Sequence, residues 1–249
     1  MVLSGLPEIR IKPSPFLAIL EADLESLITG KIVITWLIAA FFLGTLVVIG
    51  GTSEAKDRIG SVLWLFILVW SLVVIGISAG SVSSEAGVIA DSLLSKSVKR
   101  YEYILAKMVS RCSVVLMVYL VVSVILSLVA VRVAPVGSLD YYGWLRAILI
   151  VGLALLLLTI IGITFSTLTS STIASFILVL LVWYGMLTAL PLAEMDAASP
   201  TYLANHFPDV MAGWWSTTLW QMTGIFIALI VSLALVTLFY FENKDLTGE

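Results

Sequence analysis

Residues that could carry out chemistry are few in this sequence, and they rarely stand at the spacings that chemistry requires. The chain has one histidine, His206, and one cysteine, so it can form neither an intramolecular disulfide nor a Cys-based metal site. Glu194, Asp196 and Asp209 stand near the histidine and could imitate a metal site, but polar loop residues are far more often only solvated. Neither H-E-x-x-H nor G-x-S-x-G occurs. We therefore expect no metal site and no catalytic residues.

The sequence also lacks a nucleotide-binding motif. A P-loop requires G-x-x-x-x-G-K followed by Ser or Thr, because its backbone N–H groups and lysine hold the phosphates. The one Gly-Lys pair, Gly30-Lys31, is followed by Ile32 and has Glu25 at the position of the first glycine. We expect no cofactor in this chain. Nucleic acid binding is not expected either, since the basic residues are few and stand at helix ends.

Neutral polar residues inside the apolar runs form two sets. The first set recurs at intervals of seven residues and ends at an acid: Trp64, Ser71, Ser78 and Glu85. On a helix of 3.6 residues per turn, each such step rotates the side-chain position by only ~20° about the helix axis. The second combines hydroxyl and aromatic groups: Thr172, Ser175, Trp183, Tyr184 and Thr188. Both sets could line a transport pathway. Equally, the hydroxyls could bond to carbonyls of their own helices while the aromatics anchor the bundle. The cores of these runs hold no charge, which argues against a proton-coupled carrier.

The elements that position these residues are predicted to be transmembrane helices. The 249 residues are 61% hydrophobic and 12% charged, with a mean hydropathy of +1.13, whereas an average soluble domain is about 25% charged. Six apolar runs can cross a ~30 Å hydrocarbon core. They lie near 32–50, 61–83, 111–131, 146–167, 172–191 and 219–241. We expect an all-α integral membrane protein with one transmembrane domain over residues 1–249.

The distribution of basic residues predicts the orientation. With the N-terminus inside, the inner segments hold nine of the 13 Lys and Arg residues, and the outer segments hold Lys56, Arg58, Arg132 and Arg146. The positive-inside rule then favours a multi-pass protein of the plasma membrane with both termini in the cytoplasm.

A further helix is expected before the first span. Within 16–29, apolar residues recur with helical spacing, while Glu21, Asp23 and Glu25 lie largely on the other side. This predicts an amphipathic helix on the membrane surface. Its acidic face could turn to a protein partner or to water, or the helix could be a plain interfacial anchor.

The segment 192–218, between the fifth and sixth spans, is aromatic and has no basic residue. Ser199-Pro200 is a typical helix start. Short helices at the outer interface are therefore expected, where Trp and Tyr are favoured.

The polar stretch 84–111 is the longest interruption of the apolar chain and holds 5 of the 13 basic residues. Its notable residues are Glu85, Gly87, Leu93, Leu94, Ser95, Lys96, Arg100 and Lys107. A segment of this kind does not cross a bilayer. We interpret it as a cytoplasmic segment that transmits force to the helices on either side. Within the preceding span, Gly76, Gly80 and Ser84 form a ridge of small residues that is suited to close helix packing.

These features together resemble the ABC-2 type permeases, the membrane subunits of ABC transporters, over nearly the whole chain. The local pattern is an E-x-G, an L-L pair, P-V-S-R and a lysine before the third span. Here it reads Glu85-Ala86-Gly87, Leu93-Leu94, Ser97-Val98-Lys99-Arg100 and Lys107, with Ser97 in place of the proline. The tail 241–246 is similar to the family's aromatic-to-Asp-Leu ending.

The resemblance implies a coupling helix at roughly 88–96, seated in a separate ATPase subunit that binds ATP and Mg²⁺, with Glu85 and Arg100 as flanking anchors. It implies two permeases, either two copies or this chain with a related one, together with two ATPases. The outer helices before the sixth span would be re-entrant. The small size is similar to permeases of drug export or of multicopper-enzyme maturation. Membrane lipid and an extracytoplasmic accessory protein are further expected partners. A channel or assembly scaffold without pumping, and an intramembrane enzyme, remain as other classes.

Overall fold

Ten α-helices make up the part of the chain that the computed structural model describes, residues 15–51, 53–85, 99–169 and 171–243. They are α1 Pro15–Ile28, α2 Lys31–Gly50, α3 Ala55–Leu68, α4 Ser71–Ala79, α5 Arg100–Val133, α6 Tyr141–Leu168, α7 Thr172–Leu192, α8 Pro200–Asn205, α9 Phe207–Met211 and α10 Thr217–Asn243. The 3₁₀ turns Ser83–Glu85 and Asp196–Ala198 complete the described secondary structure. These residues include no strand, which confirms the all-α prediction.

Six stretches are long and apolar enough to cross a membrane, and they match the six predicted spans. The second span comprises both α3 and α4, and the third begins eleven residues earlier than predicted, since 111–131 was expected and α5 starts at Arg100. The amphipathic helix before the first span is α1, and the short helices before the sixth are α8 and α9. The chain is therefore a multi-pass membrane protein.

The fourth span, α6, is the central helix of the bundle. In its most apolar stretch 78% of the residues are buried, against 28%, 22% and 17% for α2, α7 and α10. Close approach is possible because α6 carries Gly162 opposite Ser78 of α4, where a Cβ on the glycine would meet the serine side chain. Small residues of this kind let helix backbones pack together in a membrane.

The second span is interrupted at Val69 and Trp70, between α3 and α4. The N–H of Trp70 bonds to the carbonyl of Leu65 at 2.9 Å, five residues back, so the turn is widened as in a π-bulge. The second span is therefore not the uninterrupted helix that the seven-residue spacing assumed. Ser71 and Ser78 are fully buried beyond the interruption, whereas Trp64, before it, is half-buried.

The helices present two distinct ends. At one of them, called the α1 end here, Nη1 of Arg100 lies 3.3 Å from the carbonyl of Glu242, which joins the start of α5 to the last turn of α10. At the other, called the short-helix end, the N–H of Asp140 bonds to the carbonyl of Met211 at 2.7 Å. Asp140 also caps α6 by accepting a bond of 2.7 Å from the N–H of Gly143.

Candidate functional site

Side chains of the fifth span satisfy the carbonyls that are freed where the second span is interrupted. The indole Nε1 of Trp183 donates to the carbonyl of Ile67 at 3.2 Å, and the hydroxyl of Tyr184 donates to the carbonyl of Leu68 at 2.6 Å. Ser71 Oγ donates to the same Leu68 carbonyl at 3.0 Å. In a bilayer such carbonyls have no water to bond, so a broken helix needs partners of this kind. The interruption thus fixes α7 against the second span.

Three residues of the two predicted polar sets meet across helices. Ser71 Oγ lies 3.2 Å from the hydroxyl of Tyr184. At the α1 end, Thr172 Oγ1 lies 2.9 Å from Oγ of Ser83, which follows α4. These two contacts lie along one line between the second and fifth spans, and only the first joins the two sets, because Ser83 belongs to neither.

Ser78, Ser175 and Thr188 bond close to their own position in the chain. Ser78 donates to the carbonyl of Val74 at 2.8 Å, and Thr188 donates to the carbonyl of Tyr184 at 2.8 Å. The buried Ser175 lies against the end of α6, with its Oγ bonded to Thr169 and to the carbonyl of Phe165. These bonds match the alternative in which the hydroxyls bond to nearby helix carbonyls.

Trp64 lies apart from this line, at the short-helix end. It forms a wall of a cavity of about 330 Å³ whose other walls include Asp57, Ala204, Asn205 and Pro208. This cavity is the place where the second span meets α8 and α9. Trp64, Thr172 and Tyr184 are half-buried and Thr188 is exposed, so these side chains reach the outside of the bundle rather than an enclosed channel.

A buried ion cluster joins α1 to the third span. Oδ1 of Asp23 lies 2.6 Å from Nζ of Lys107 and 3.5 Å from Nη2 of Arg111, and Oδ2 accepts a bond from the hydroxyl of Ser110. Asp23 is only 9% exposed. The expectation that its acidic face turns to water or to another protein is therefore wrong for Asp23, whereas Glu21 and Glu25 are exposed as expected.

Sequence reasoning missed this cluster, although a signal for it was present. Lys107, Ser110 and Arg111 stand at i, i+3 and i+4, so they share one face of a helix. An acid on the neighbouring amphipathic helix is their expected counterion, although three acids stand there, Glu21, Asp23 and Glu25. Lys107 was grouped with the predicted coupling residues, and its side chain is buried here, with its Nζ also 5.6 Å from the ring centre of Tyr103.

Few of the other predicted coupling residues can be placed. Arg100 begins α5 at the α1 end, and Glu85 ends the 3₁₀ turn that follows the second span. Gly87, Leu93, Leu94, Ser95 and Lys96 lie outside the described residues. The two flanks of this segment emerge at the end of the bundle that also carries α1.

The residues near His206 do not gather into a metal site. Among the described residues no group of three or more His, Cys, Asp or Glu side chains could hold a metal ion. His206 instead stacks between Tyr202 and Trp214, with ring centres 4.2 and 5.5 Å away, and its Nδ1 lies 2.8 Å from the carbonyl of Tyr202. The stack joins α8 to the loop after α9.

No protein-family model matches this chain, and no curated protein is significantly similar to it in sequence.

Proposed function

We propose that this chain is the permease subunit of an ABC transporter of the ABC-2 type, moving substrate, in the export direction, with ATP hydrolysed by a separate ATPase subunit. The observation that carries the proposal is the arrangement of the α1 end. The interfacial helix α1 and both flanks of the polar segment 84–111 lie together there, beneath six spans. The sequence has no P-loop of its own, so energy for transport has to arrive through contact with another protein.

Because α1 lies at the same end as the two flanks of the polar segment, a protein bound there could act on the bundle through α1. Asp23 joins α1 to Lys107. Lys107 lies on α5, two turns after Arg100, with which that helix begins. A partner seated on 88–96 would therefore act on α1 and on the third span together. The contact between Lys107 and Asp23 is short, at 2.6 Å, and buried, so a movement of α1 would move the start of the third span with it.

The polar sets support a pathway at the surface of one chain rather than through its centre. Ser71 and Ser78 are buried and bonded, whereas Tyr184 is half-buried and Thr188 is exposed. A substrate route along them needs a second wall. A second copy of the chain, or a related permease, would supply it, consistent with α7 having only 22% of its most apolar stretch buried.

The members of the small-residue ridge differ in their surroundings. An added Cβ at Gly76 would meet no atom within 4 Å, so this side of α4 is open within one chain. Gly80 faces Thr172 of α7, with 3.6 Å from its added Cβ to Cγ2.

We place both termini in the cytoplasm, so the α1 end faces the ATPase.

The test is co-expression with a P-loop ATPase encoded beside this chain, followed by purification and reconstitution into liposomes. The proposal expects a stable complex of two permeases and two ATPases, with ATP hydrolysis that vanadate inhibits. A chain that purifies folded and binds no such ATPase would overturn the proposal and favour a channel or an assembly scaffold.

A further inference from the structure

A groove with basic residues at its mouth opens at the α1 end, between α2 and α4. Its upper part has a volume of about 420 Å³ and is bounded by Lys31, Ile32, Gly76, Gly80 and Arg111. It continues into a second cavity of about 350 Å³, which shares Lys31 and Ile32 with the first. The two together form a continuous path from the interface towards the membrane interior. This groove is distinct from the line between the second and fifth spans.

The upper part collects hydrogen-bond donors that are not used by the described chain. Arg111 is only 8% exposed, and its Nε has no hydrogen-bond partner. Lys31 is exposed and forms no ion pair with a described carboxylate. Lys31 and Arg111 both border the upper part, so their positive charges favour an anion at the mouth of the groove.

The start of α2 adds a third source of positive potential. The N-cap is Gly30, which has no side chain to bond the free N–H groups of the first turn. Gly30, Lys31, Ile32 and Val33 all border the upper cavity. The first N–H groups of a helix and its dipole favour an anion at this position.

Negative groups near the mouth are already occupied. Asp23 is bonded to Lys107 and Ser110, and its contact with Arg111, at 3.5 Å, is to Nη2 and leaves Nε free. Of the last carbonyls of α1, those of Glu25 and Leu27 accept N–H bonds from Thr29 and Gly30 at 3.0 and 3.1 Å. None of the residues that border either cavity is acidic.

The lower part of the groove is apolar and suits a hydrocarbon chain. Trp36, Ala39, Trp70 and Val73 border it. Trp36 stands five residues beyond Lys31 on α2, which places it about 7.5 Å deeper. Its indole Nε1 is buried and also has no hydrogen-bond partner.

We propose that this groove binds an anionic phospholipid of the leaflet that contains α1. Its phosphate would lie at the mouth, between Lys31, the Arg111 side chain that borders the groove and the start of α2, and an acyl chain would lie along Trp36 and Trp70. Basic pockets between transmembrane helices are a recurrent site for anionic headgroups. A free phosphate would use the same donors, but it would leave the apolar part of the groove empty. The lipid is therefore the occupant that fits both parts.

The test is lipid binding to the purified full chain, measured by native mass spectrometry with phosphatidylglycerol, phosphatidylcholine or inorganic phosphate as the probe. The variants are Lys31→Gln, which leaves the Asp23 cluster intact, and Trp36→Phe. The matched control is Arg132→Gln, an exposed basic residue at the short-helix end of α5. We expect phosphatidylglycerol to bind in preference to phosphatidylcholine, and Lys31→Gln to weaken it by about tenfold. Trp36→Phe should weaken both lipids, and Arg132→Gln neither.

Equal binding of the two lipids to the parent would overturn the proposal, as would a Lys31→Gln variant that elutes normally and binds phosphatidylglycerol as the parent does. If inorganic phosphate protects the chain from unfolding to the same extent as the lipid does, the groove is a free-anion site and the assignment to a lipid is overturned.

Discussion

Nζ of Lys107 lies 2.6 Å from Oδ1 of Asp23, and this contact joins the interfacial helix α1 to the start of the third span. The side chains of the pair are 5% and 9% exposed. Two charges that are removed from water at a membrane interface stabilise each other, and removal of one leaves the other with fewer partners in a buried site. The pair therefore fixes where α1 lies.

We predict that Asp23→Asn destabilises the protein by on the order of 3 kcal/mol, because Lys107 and Arg111 would lose the buried carboxylate that both contact. The free energy of unfolding in mixed micelles with increasing SDS measures this. Glu25→Gln, at an exposed acid of the same helix, is the matched control and should change stability by less than about 0.5 kcal/mol.

The double variant Asp23→Asn with Lys107→Met measures the interaction energy between the two residues apart from their contacts with other groups. It should be clearly more stable than the sum of the two single changes predicts. Additive effects would show that the two residues do not depend on each other.

The fold was largely predictable and the ion cluster was not, for a physical reason. The length and composition of an apolar run decide whether it spans a bilayer, so all six spans could be placed from the sequence. Which faces of two helices meet depends on packing. The i, i+3, i+4 spacing of Lys107, Ser110 and Arg111 marks a face, but nothing in the sequence identifies Asp23, rather than Glu21 or Glu25, as the residue that meets it.

The interruption of the second span was also beyond the sequence. Val69 and Trp70 carry no glycine or proline signal, and the widened turn is stabilised by Trp183 and Tyr184, more than 110 residues away. Tyr184 was singled out from the sequence as one of the polar groups of the fifth span that could line a pathway. Its partner is the freed carbonyl of Leu68, which only the tertiary structure reveals.

Tyr184→Phe should therefore cost about 0.6–1.7 kcal/mol of unfolding free energy, the range measured for hydrogen bonds between membrane helices. Thr188→Val is the matched control, one turn further along α7, because its hydroxyl bonds only within its own helix. We expect that control to be near neutral in the same SDS titration. Equal losses in the two variants would show that the Leu68 carbonyl does not need the tyrosine.

Gly162→Ala should destabilise the bundle by about 1–3 kcal/mol, since its new Cβ would overlap the side chain of Ser78 and force α4 away from α6. Adding Ser78→Gly should restore most of the loss by removing that side chain. Gly185→Ala is the control, because an added Cβ there meets no atom within 4 Å. That change should be neutral or stabilise the helix by up to about 1 kcal/mol. The same loss at both glycines would argue against close packing at Gly162.

The orientation of the chain is tested by cysteine labelling in intact cells, in a background in which Cys112 is replaced by serine. A cysteine at Asp196, which is exposed at the short-helix end, should react with an impermeant reagent added from outside. A cysteine at Ser95 should react only after the membrane is permeabilised. The reverse pattern would place the α1 end outside and separate it from any cytoplasmic ATPase.

The central claim is that energy for transport enters through the segment 84–111, and Leu93→Ala with Leu94→Ala tests it most directly. These residues form the apolar pair of the segment, and loss of a buried interface anchor commonly costs on the order of 2–4 kcal/mol. The measurement is binding of the partner ATPase to the purified chain in liposomes, together with vanadate-sensitive ATP hydrolysis. We predict that the double variant folds as the parent does, judged by its SDS unfolding midpoint, and yet binds the ATPase at least about tenfold more weakly or hydrolyses ATP without transport. A well-folded double variant that binds its ATPase and transports as the parent does would contradict the account.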